Sequence, residues 1–476
     1  MTSTSTSTPA AEAFVTVPGD RHSEVARTLA EPVPQALSAI DQLGLWGNLG
    51  VSLLGFTGAI FVLQPGGTGT RELSLAAALT AIVLGTVLGT LPVALAGLPG
   101  TRTGAPAMVL LRGLFGARLS YLPTALNILQ CLGWGIFELV TIATAAHTVA
   151  PALPRWAYIL FAGTATALLT IRPLGAIRIL RRYVTTAVVI VLGYLFIQLL
   201  RHPLPAFTHG TWGPGFWVAT DTVVAAAISF APLAADYTRH SRSGAAAFNG
   251  TFFGYGATQT LCYVIGLLAL VTVAHGNAND IYGAFIALPL GAIAFGILAL
   301  RELDQSFANV YSTAASTQNL RPLWDRRVLA IIISAATTAG ALFLNINDYE
   351  NFLILLGSVF VPLSAVLIVD FFVLAKGHWD LSAQAPTRWL MLLPWAAGFV
   401  VYQLINPGYI SWWVSAWGHV AQAIGFTPAT WMSASICSFV VAAVATLVVG
   451  GLTSVVRNRG GSAPPGGQDL TVTGTR

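Results

Sequence analysis

Trp134 and Glu138 stand four residues apart in the stretch Gly133-Trp134-Gly135-Ile136-Phe137-Glu138. On a helix that spacing puts both side chains on one face. An indole beside a carboxylate suits a flat ligand that stacks on the ring and donates an N–H to the oxygen. A carboxylate bonded to a neighbouring helix, beside an indole that only packs, is the structural alternative. A second concentration of polar groups runs Leu300-Arg301-Glu302-Leu303-Asp304-Gln305-Ser306-Phe307-Ala308-Asn309-Val310-Tyr311-Ser312. Arg301 and Asp304, three apart, can pair and neutralise each other, and Gln305 and Asn309 share a face. Asp304 can hold Na⁺ as a hard oxygen ligand or carry a coupling proton; a purely structural network is the alternative. Asp236 is placed to pair with Arg239, three residues on, where its segment meets water, and Asp370 reads similarly. Asp348 and Glu350 are expected to face solvent.

The elements that must position these groups follow from composition. Of 476 residues, 55% are hydrophobic and only 9% charged, with a net charge of +5. A soluble chain carries about a quarter charged residues, so most of this surface must face lipid. That excludes nucleic-acid binding, disorder and a disulfide scaffold together. Cys131, Cys262 and Cys437 lie in apolar stretches and form no CxxC pair, which makes them small core residues. Twelve stretches are long enough to cross a bilayer, near 44–64, 73–98, 121–149, 156–171, 183–200, 217–235, 248–274, 283–302, 328–345, 351–375, 388–405 and 431–456. The transmembrane unit is therefore 41–456, between tails 1–40 and 457–476 that read as disordered. The aromatic-rich stretches 209–217 and 409–417 read as interfacial belts.

Lys and Arg concentrate in the two tails and the even-numbered loops, and the opposite loops hold only Arg71, Arg155 and Arg201. That asymmetry puts both termini in the cytoplasm of a multi-pass cell-membrane protein. Two spans are interrupted, the first by Gly47, Gly50, Gly55 and Gly58, the sixth by Pro232 within Ser229-Phe230-Ala231-Pro232-Leu233. Interruptions five spans apart point to a secondary transporter built from inverted repeats, here about 44–200 and 217–375, with 388–456 as additional helices. Gly and Pro are also simply common in membrane helices. A phosphate-binding GxxxxGK[ST], a His-Glu-x-x-His pair and a Gly-x-Ser-x-Gly elbow are all lacking. The sequence thus reads as neither a pump nor an enzyme, with no resident cofactor.

Three further segments carry a resemblance. The sixth span ends Ala231-Pro232-Leu233-Ala234-Ala235-Asp236-Tyr237-Thr238-Arg239. The eighth ends Asn309-Val310-Tyr311-Ser312 with Gln318-Asn319 after it. The tenth has Gly357-Ser358-Val359-Phe360-Val361-Pro362 and then Asp370-Phe371-Phe372-Val373. In order and spacing, over about residues 40–400, these resemble the purine–cytosine permease branch of the nucleobase–cation symporter-1 family. The resemblance implies an all-α leucine-transporter-like fold, a 5+5 inverted repeat plus two helices. Its substrate would lie between spans 1, 3, 6 and 8. The aromatic pair that sandwiches a heterocycle then looks like Trp134 and Phe230, with Ala227 as the other register for span 6. Glu138, Ser306 and Asn309 would read its edge, Glu138 standing where family members carry an uncharged residue. In sodium-coupled members, span-8 hydroxyls and span-1 carbonyls hold Na⁺. The corresponding place here involves Asp304 and Gln305 with Gly55 and Gly58, a carboxylate replacing the hydroxyl pattern, so both H⁺ and Na⁺ stay open. The implied function is import of a small planar N-heterocycle (cytosine, a purine or a related pyrimidine) by symport with H⁺ or Na⁺. An amino acid or betaine symporter of the same fold, or a channel or receptor derived from one, is the alternative. The partners implied are the heterocyclic solute and the lipid bilayer.

Overall fold

A helix in lipid satisfies its backbone from within, so any break in it has to be held by protein or a wet cavity. The computed structural model, which describes residues 35–65, 73–171, 175–208, 210–213, 215–277, 280–321, 324–344 and 346–460, contains two such breaks. Helix α1 (Ala39–Gly50) starts on a capping box between Ser38 and Asp41. It stops at Gly50, the chain extends through Val51 and Ser52, and α2 (Leu53–Leu63) restarts with the Ser52 hydroxyl accepting from the Leu54 N–H. The two halves meet at 59°. Gly50 is needed at this point, because a Cβ there would sit 2.7 Å from the Tyr255 carbonyl oxygen.

Helices α3 (Leu75–Thr103), α4 (Ala107–Phe115), α5 (Tyr121–Val149), α6 (Arg155–Ile171) and α7 (Gly175–Leu200) lead to the second break. There α8 (Gly215–Ile228) unwinds at Ser229-Phe230, makes a 3₁₀ turn at Ala231–Leu233, and continues as α9 (Ala234–Thr238). Pro232 has no N–H to give to the helical ladder, which fits the interruption. Helix α10 (Gly244–Asn249) runs through a π segment (Gly250–Tyr255) into α11 (Gly256–Thr272). Then follow α12 (Ile281–Ile286), α13 (Gly291–Leu320), α14 (Arg326–Phe343), α15 (Tyr349–Val369), α16 (Leu392–Ile405), α17 (Ser411–Ile424) and α18 (Ala434–Gly460).

Among the described residues, six helices are long and apolar enough to cross a bilayer, or seven with α1 and α2 taken as one span. Thr186–Leu200, Arg327–Phe343 and Trp389–Ile405 are shorter apolar helices. Helix α6 and the polar α13 stand beside them; the stretch expected at 283–302 is divided between α12 and α13, and α13 runs on to Leu320. Helix α13 is 30 residues long, but it carries Arg301, Glu302 and Asp304. Arg301 and Glu302 are each 1% exposed, so the charge lies inside the bundle and away from lipid.

The helices sort into packed groups. Helices α2 and α11 pack closely, as do α3 and α8. A Cβ on Gly58 would sit 2.7 Å from the Tyr263 ring, and one on Gly89 would sit 2.6 Å from that of Ala227. In a second group α5 runs along α13, flanked by α6 and α14. Asn127 Nδ2 donates to Ser316 Oγ (2.7 Å) and Asn319 Nδ2 to Thr124 Oγ1 (2.9 Å) across the α5–α13 seam. Helices α15, α16 and α18 form a third layer, and α17 buries no residue, with Trp412 69% exposed.

Several charged residues depart from the sequence reading. Asp236 is buried; Arg239 acts on it through charge without a hydrogen bond or close ion pair, and Asp236 Oδ1 accepts from the Ala107 N–H at 2.9 Å. That donor is the first of α4, whose N-cap, Pro106, offers no side-chain bond. Glu350 is buried at the start of α15, where the Tyr409 hydroxyl donates to it at 3.4 Å, and only Asp348 is exposed. Asp370 is structural as read: Arg388 grips it with two bonds of 2.6 and 2.9 Å, and Trp379 Nε1 donates at 2.8 Å. Asp221 on α8 was not singled out by the sequence, yet it is buried and accepts from Ser433 Oγ (2.6 Å) and from the N–H groups of Ala434 (2.8 Å) and Ser435 (3.2 Å). It caps α18 from another span. The ordered unit begins before residue 41, since Leu37 bridges to Ser241, and α18 runs to Gly460; residues 1–34 and 461–476 of the two tails lie outside the described residues.

Replacing Asp221 by Ala removes the acceptor for three donors at the start of α18. We expect a loss of about 1.5–3 kcal/mol of stability, read as a lower melting midpoint in detergent, with affinity for any transported solute unchanged. An unaltered midpoint would mean the cap carries no load.

Candidate functional site

The two breaks face each other across a narrow cavity of about 40 Å³. It is lined by the α1–α2 break (Gly50, Ser52, Gly55), by Trp134 and Glu138 of α5, by Phe230 at the α8 break, and by Tyr255, Gln259 and Tyr263 of the seventh span. Gln305 and Asn309 of α13 and Tyr349 of α15 complete it. Such a volume holds a few waters and is far below the roughly 300–1,000 Å³ of an open small-molecule site. The cavity is thus closed down around its lining.

Aromatic rings make its walls. Trp134 meets Tyr349 and Phe352 edge-on, with centroids 5.9 and 5.3 Å apart. Phe230 packs on Tyr255 at 5.0 Å and against Trp46 at 6.2 Å. Four polar groups of the lining residues have no hydrogen-bond partner among the described residues: Trp134 Nε1, Glu138 Oε2, Gln259 Oε1 and the Tyr263 hydroxyl. The Gln259 amide is oriented by its nitrogen, which donates to the Val223 carbonyl and to Thr86 Oγ1, both at 3.3 Å. Its oxygen is left without a partner among the described residues. Glu138, 2% exposed, has its carboxyl within hydrogen-bonding reach of that of Glu302.

Helix α13 holds the first break together. Arg301 Nη2 donates to the Asn48 carbonyl, and Gln305 Nε2 to the Leu49 carbonyl at 2.7 Å. On the other side of the break, Glu302 Oε1 accepts from the Leu53 N–H at 2.6 Å and Oε2 from the Ser52 hydroxyl at 3.5 Å. Asn48 Nδ2 donates to Asp304 at 2.6 Å. Arg301 and Glu302 lie 3.8 Å apart. The last carbonyls of α1 and the first N–H groups of α2, which have no intrahelical partners, are thus answered by a cation, an amide and an anion of the matching signs.

The structure brings together Trp134, Glu138, Phe230, Gln305, Asn309 and Gly55 at the cavity. Phe230, with Ala226, rather than Ala227 lines it from span 6; Ala227 packs on Gly89. Ser306 is not brought in: it is fully buried and accepts from Thr166 of α6 at 3.1 Å, because one residue's advance on a helix turns it away from Gln305. Gly55 and Gly58 lie within α2, beyond the break, and make room for Cys262 and Tyr263. Sequence reasoning missed Trp46, Asn48, Tyr255, Gln259, Tyr263 and Tyr349. Of these, only Asn48, inside the glycine run of the first span, had a local signal.

A bundle with two broken helices closed around an aromatic-walled cavity defines a polytopic membrane transporter, not an enzyme. The pattern of the family described as permease for cytosine/purines, uracil, thiamine, allantoin matches residues 42–388, and the chain belongs to that family. It is 23% identical over 332 residues to the putative purine-cytosine permease YxlA of Bacillus subtilis, covering 65% of this chain and 72% of that one. It is 24% identical over 366 residues to the cytosine permease of Escherichia coli K12, covering 73% and 83%. The fold matches the transporter Mhp1 in its inward-facing conformation, with a TM-score of 0.69 at 16% identity over 93% of this chain and 100% of the other. It matches the closed form of Mhp1, a nucleobase-cation-symport-1 family transporter with bromovinylhydantoin bound, at 0.68 and 17% identity over 92% and 96%. The architecture is therefore leucine-transporter-like.

Two substitutions on α13 separate cavity from packing. Asn309→Ala should weaken binding of the transported solute by about tenfold, the worth of one buried hydrogen bond, while Ser306→Ala leaves it unchanged and lowers only the melting midpoint. Solute titration of both purified variants checks this, and equal losses of affinity would put Ser306 back in the cavity.

Proposed function

We propose that this permease imports a small planar N-heterocycle whose edge presents N–H donors, such as cytosine, an aminopurine or a related aminopyrimidine. The observation that carries the reading is the pairing of aromatic walls with buried, unpartnered acceptors, Glu138 Oε2 and Gln259 Oε1. A ring sandwiched between Trp134 and Phe230 would gain stacking energy, and its N–H and amino groups would satisfy the two oxygens, with Asn309 completing the edge. The family description and the Escherichia coli relative support a solute of this class.

Transport follows alternating access. The site opens, binds solute and a cation, H⁺ or Na⁺, and closes around them. The group formed by α1–α3 and α8–α11 then rocks against α5, α6, α13 and α14, and solute and cation leave on the other side. The repeats are read as about 44–200 and 217–375, with the remaining helices 388–456 outside them and both termini cytoplasmic. No covalent step is involved; the ion gradient supplies about 2.3 kcal/mol per charge per 100 mV.

Uptake of labelled heterocycle into proteoliposomes tests the reading. Saturable uptake is expected, competed by aminopyrimidines or aminopurines and not by amino acids or betaine, and stopped when the ion gradient is collapsed. Trp134→Ala and Glu138→Gln should each raise the KM about tenfold, given about 1–3 kcal/mol for a buried hydrogen bond left unmade and a similar worth for ring stacking. Competition by betaine or amino acids alone would overturn the assignment.

A further inference from the structure

The last carbonyls of α1 end a helix inside the membrane. Helix C-termini carry partial negative charge, so a cation is their natural partner. In this chain that cation is already present. The Arg301 guanidinium, whose side chain is fully buried, donates to the Asn48 carbonyl, and the Gln305 amide takes the Leu49 carbonyl. The groups facing Arg301 include Gln305 and Glu302 on its own helix, the α1 backbone, Glu138 across on α5 and Cys262 on α11.

The residues here do not fit a sodium ion held between span-1 carbonyls and span-8 hydroxyls. An ion coordinated by these carbonyls would lie beside a fixed guanidinium and would be repelled by it at short range and low dielectric. The oxygens it would need already accept N–H groups. The α13 positions that would offer hydroxyls are Asp304 and Gln305, and the Gln305 amide presents its N–H side to the break.

We propose that Arg301 is a tethered cation that stands permanently where a coupling sodium would bind, so that this permease closes around its solute and transports it without Na⁺. The proposal rests on the reading of the chain as a carrier and names which of its two coupling cations is absent. Glu302 completes the device. It neutralises Arg301 and caps α2, so one dipeptide of α13 holds both sides of the break with opposite charges. A carrier using a dissociable ion here would lose this hold in each cycle; Arg301 keeps it.

Thermal melting of the purified full chain in NaCl against choline chloride at equal ionic strength is the first test, and it requires no knowledge of the solute. The midpoint should be the same in both salts. A saturable rise specific to Na⁺ would overturn the proposal, because an ion that binds the folded state must raise it. The second test is initial uptake into proteoliposomes with and without Na⁺ on both sides, where rates should agree within about twofold. Sodium-dependent uptake would overturn the proposal. If no heterocycle is taken up in either salt, the substrate reading fails while the melting comparison still decides this one. Arg301→Gln separates a charge role from simple packing. Its midpoint should fall and be partly restored by Na⁺ but not by choline, whereas Arg301→Lys should stay insensitive to Na⁺. An Arg301→Gln protein that melts like the parent in both salts would overturn the claim. Should that variant not fold, the melting of the unaltered protein decides alone.

Discussion

A broken helix inside a membrane leaves carbonyls on one side of the break and N–H groups on the other with no water to turn to. The α1–α2 break is answered almost wholly from α13: Arg301 and Gln305 meet the carbonyls of Asn48 and Leu49, and Glu302 meets the Leu53 N–H. Much of the remaining structure serves that arrangement. Helix α13 must lie beside the break, so it packs along α5 through Asn127–Ser316 and Thr124–Asn319. Its charges must be dry, so α6 and α14 cover its far side. With α13 fixed, Gln305 and Asn309 reach the cavity opposite Phe230, and Trp134 and Glu138 enter from α5.

The other side of the cavity depends on close approach. Gly50 and Gly58 let the first span lie directly on the π segment and α11, which is why Tyr255 and Tyr263 become cavity residues. The π segment itself (Gly250–Tyr255) widens the helix where α1 presses on it. Small residues here supply both the tight seam and the placement of the large aromatics between seams.

Hydropathy and charge placement made the spans legible, because lipid punishes an exposed charge and cytoplasmic loops collect Lys and Arg. The family signature segments made the architecture legible as well. Single side chains were less so. The glycine run announced a break in the first span, but the break falls at Val51-Ser52, and Gly55 and Gly58 serve packing instead. Glu138 was readable because a lone carboxylate among apolar residues has to face inward. Ser306 was not, since its direction depends on the rotation of α13 about its axis. Asp221 escaped notice because its partners are more than 200 residues away in sequence. The i, i+3 spacing of Asp236 and Arg239 suggested a direct pair, but an uncapped helix start at Ala107 takes one carboxylate oxygen and Arg239 acts only through charge.

The sixth span belongs to two neighbours at once. On one side of its break, Asp221 clasps the start of α18. On the other, Thr238 and Thr101 stitch α9 to α3, Thr238 Oγ1 donating to the Gly97 carbonyl at 2.7 Å and Thr101 Oγ1 to that of Thr238 at 2.9 Å. Asp236 adds α4 to that second attachment. Between α8 and α9 the chain unwinds at Ser229-Phe230 and makes the 3₁₀ turn of Ala231–Leu233. Both halves of the span are fastened to the same helix, α8 by the close approach of Gly85 and Gly89 and α9 by the two threonine bonds. The wall that Phe230 gives the cavity is therefore anchored to α3 from both sides of the break.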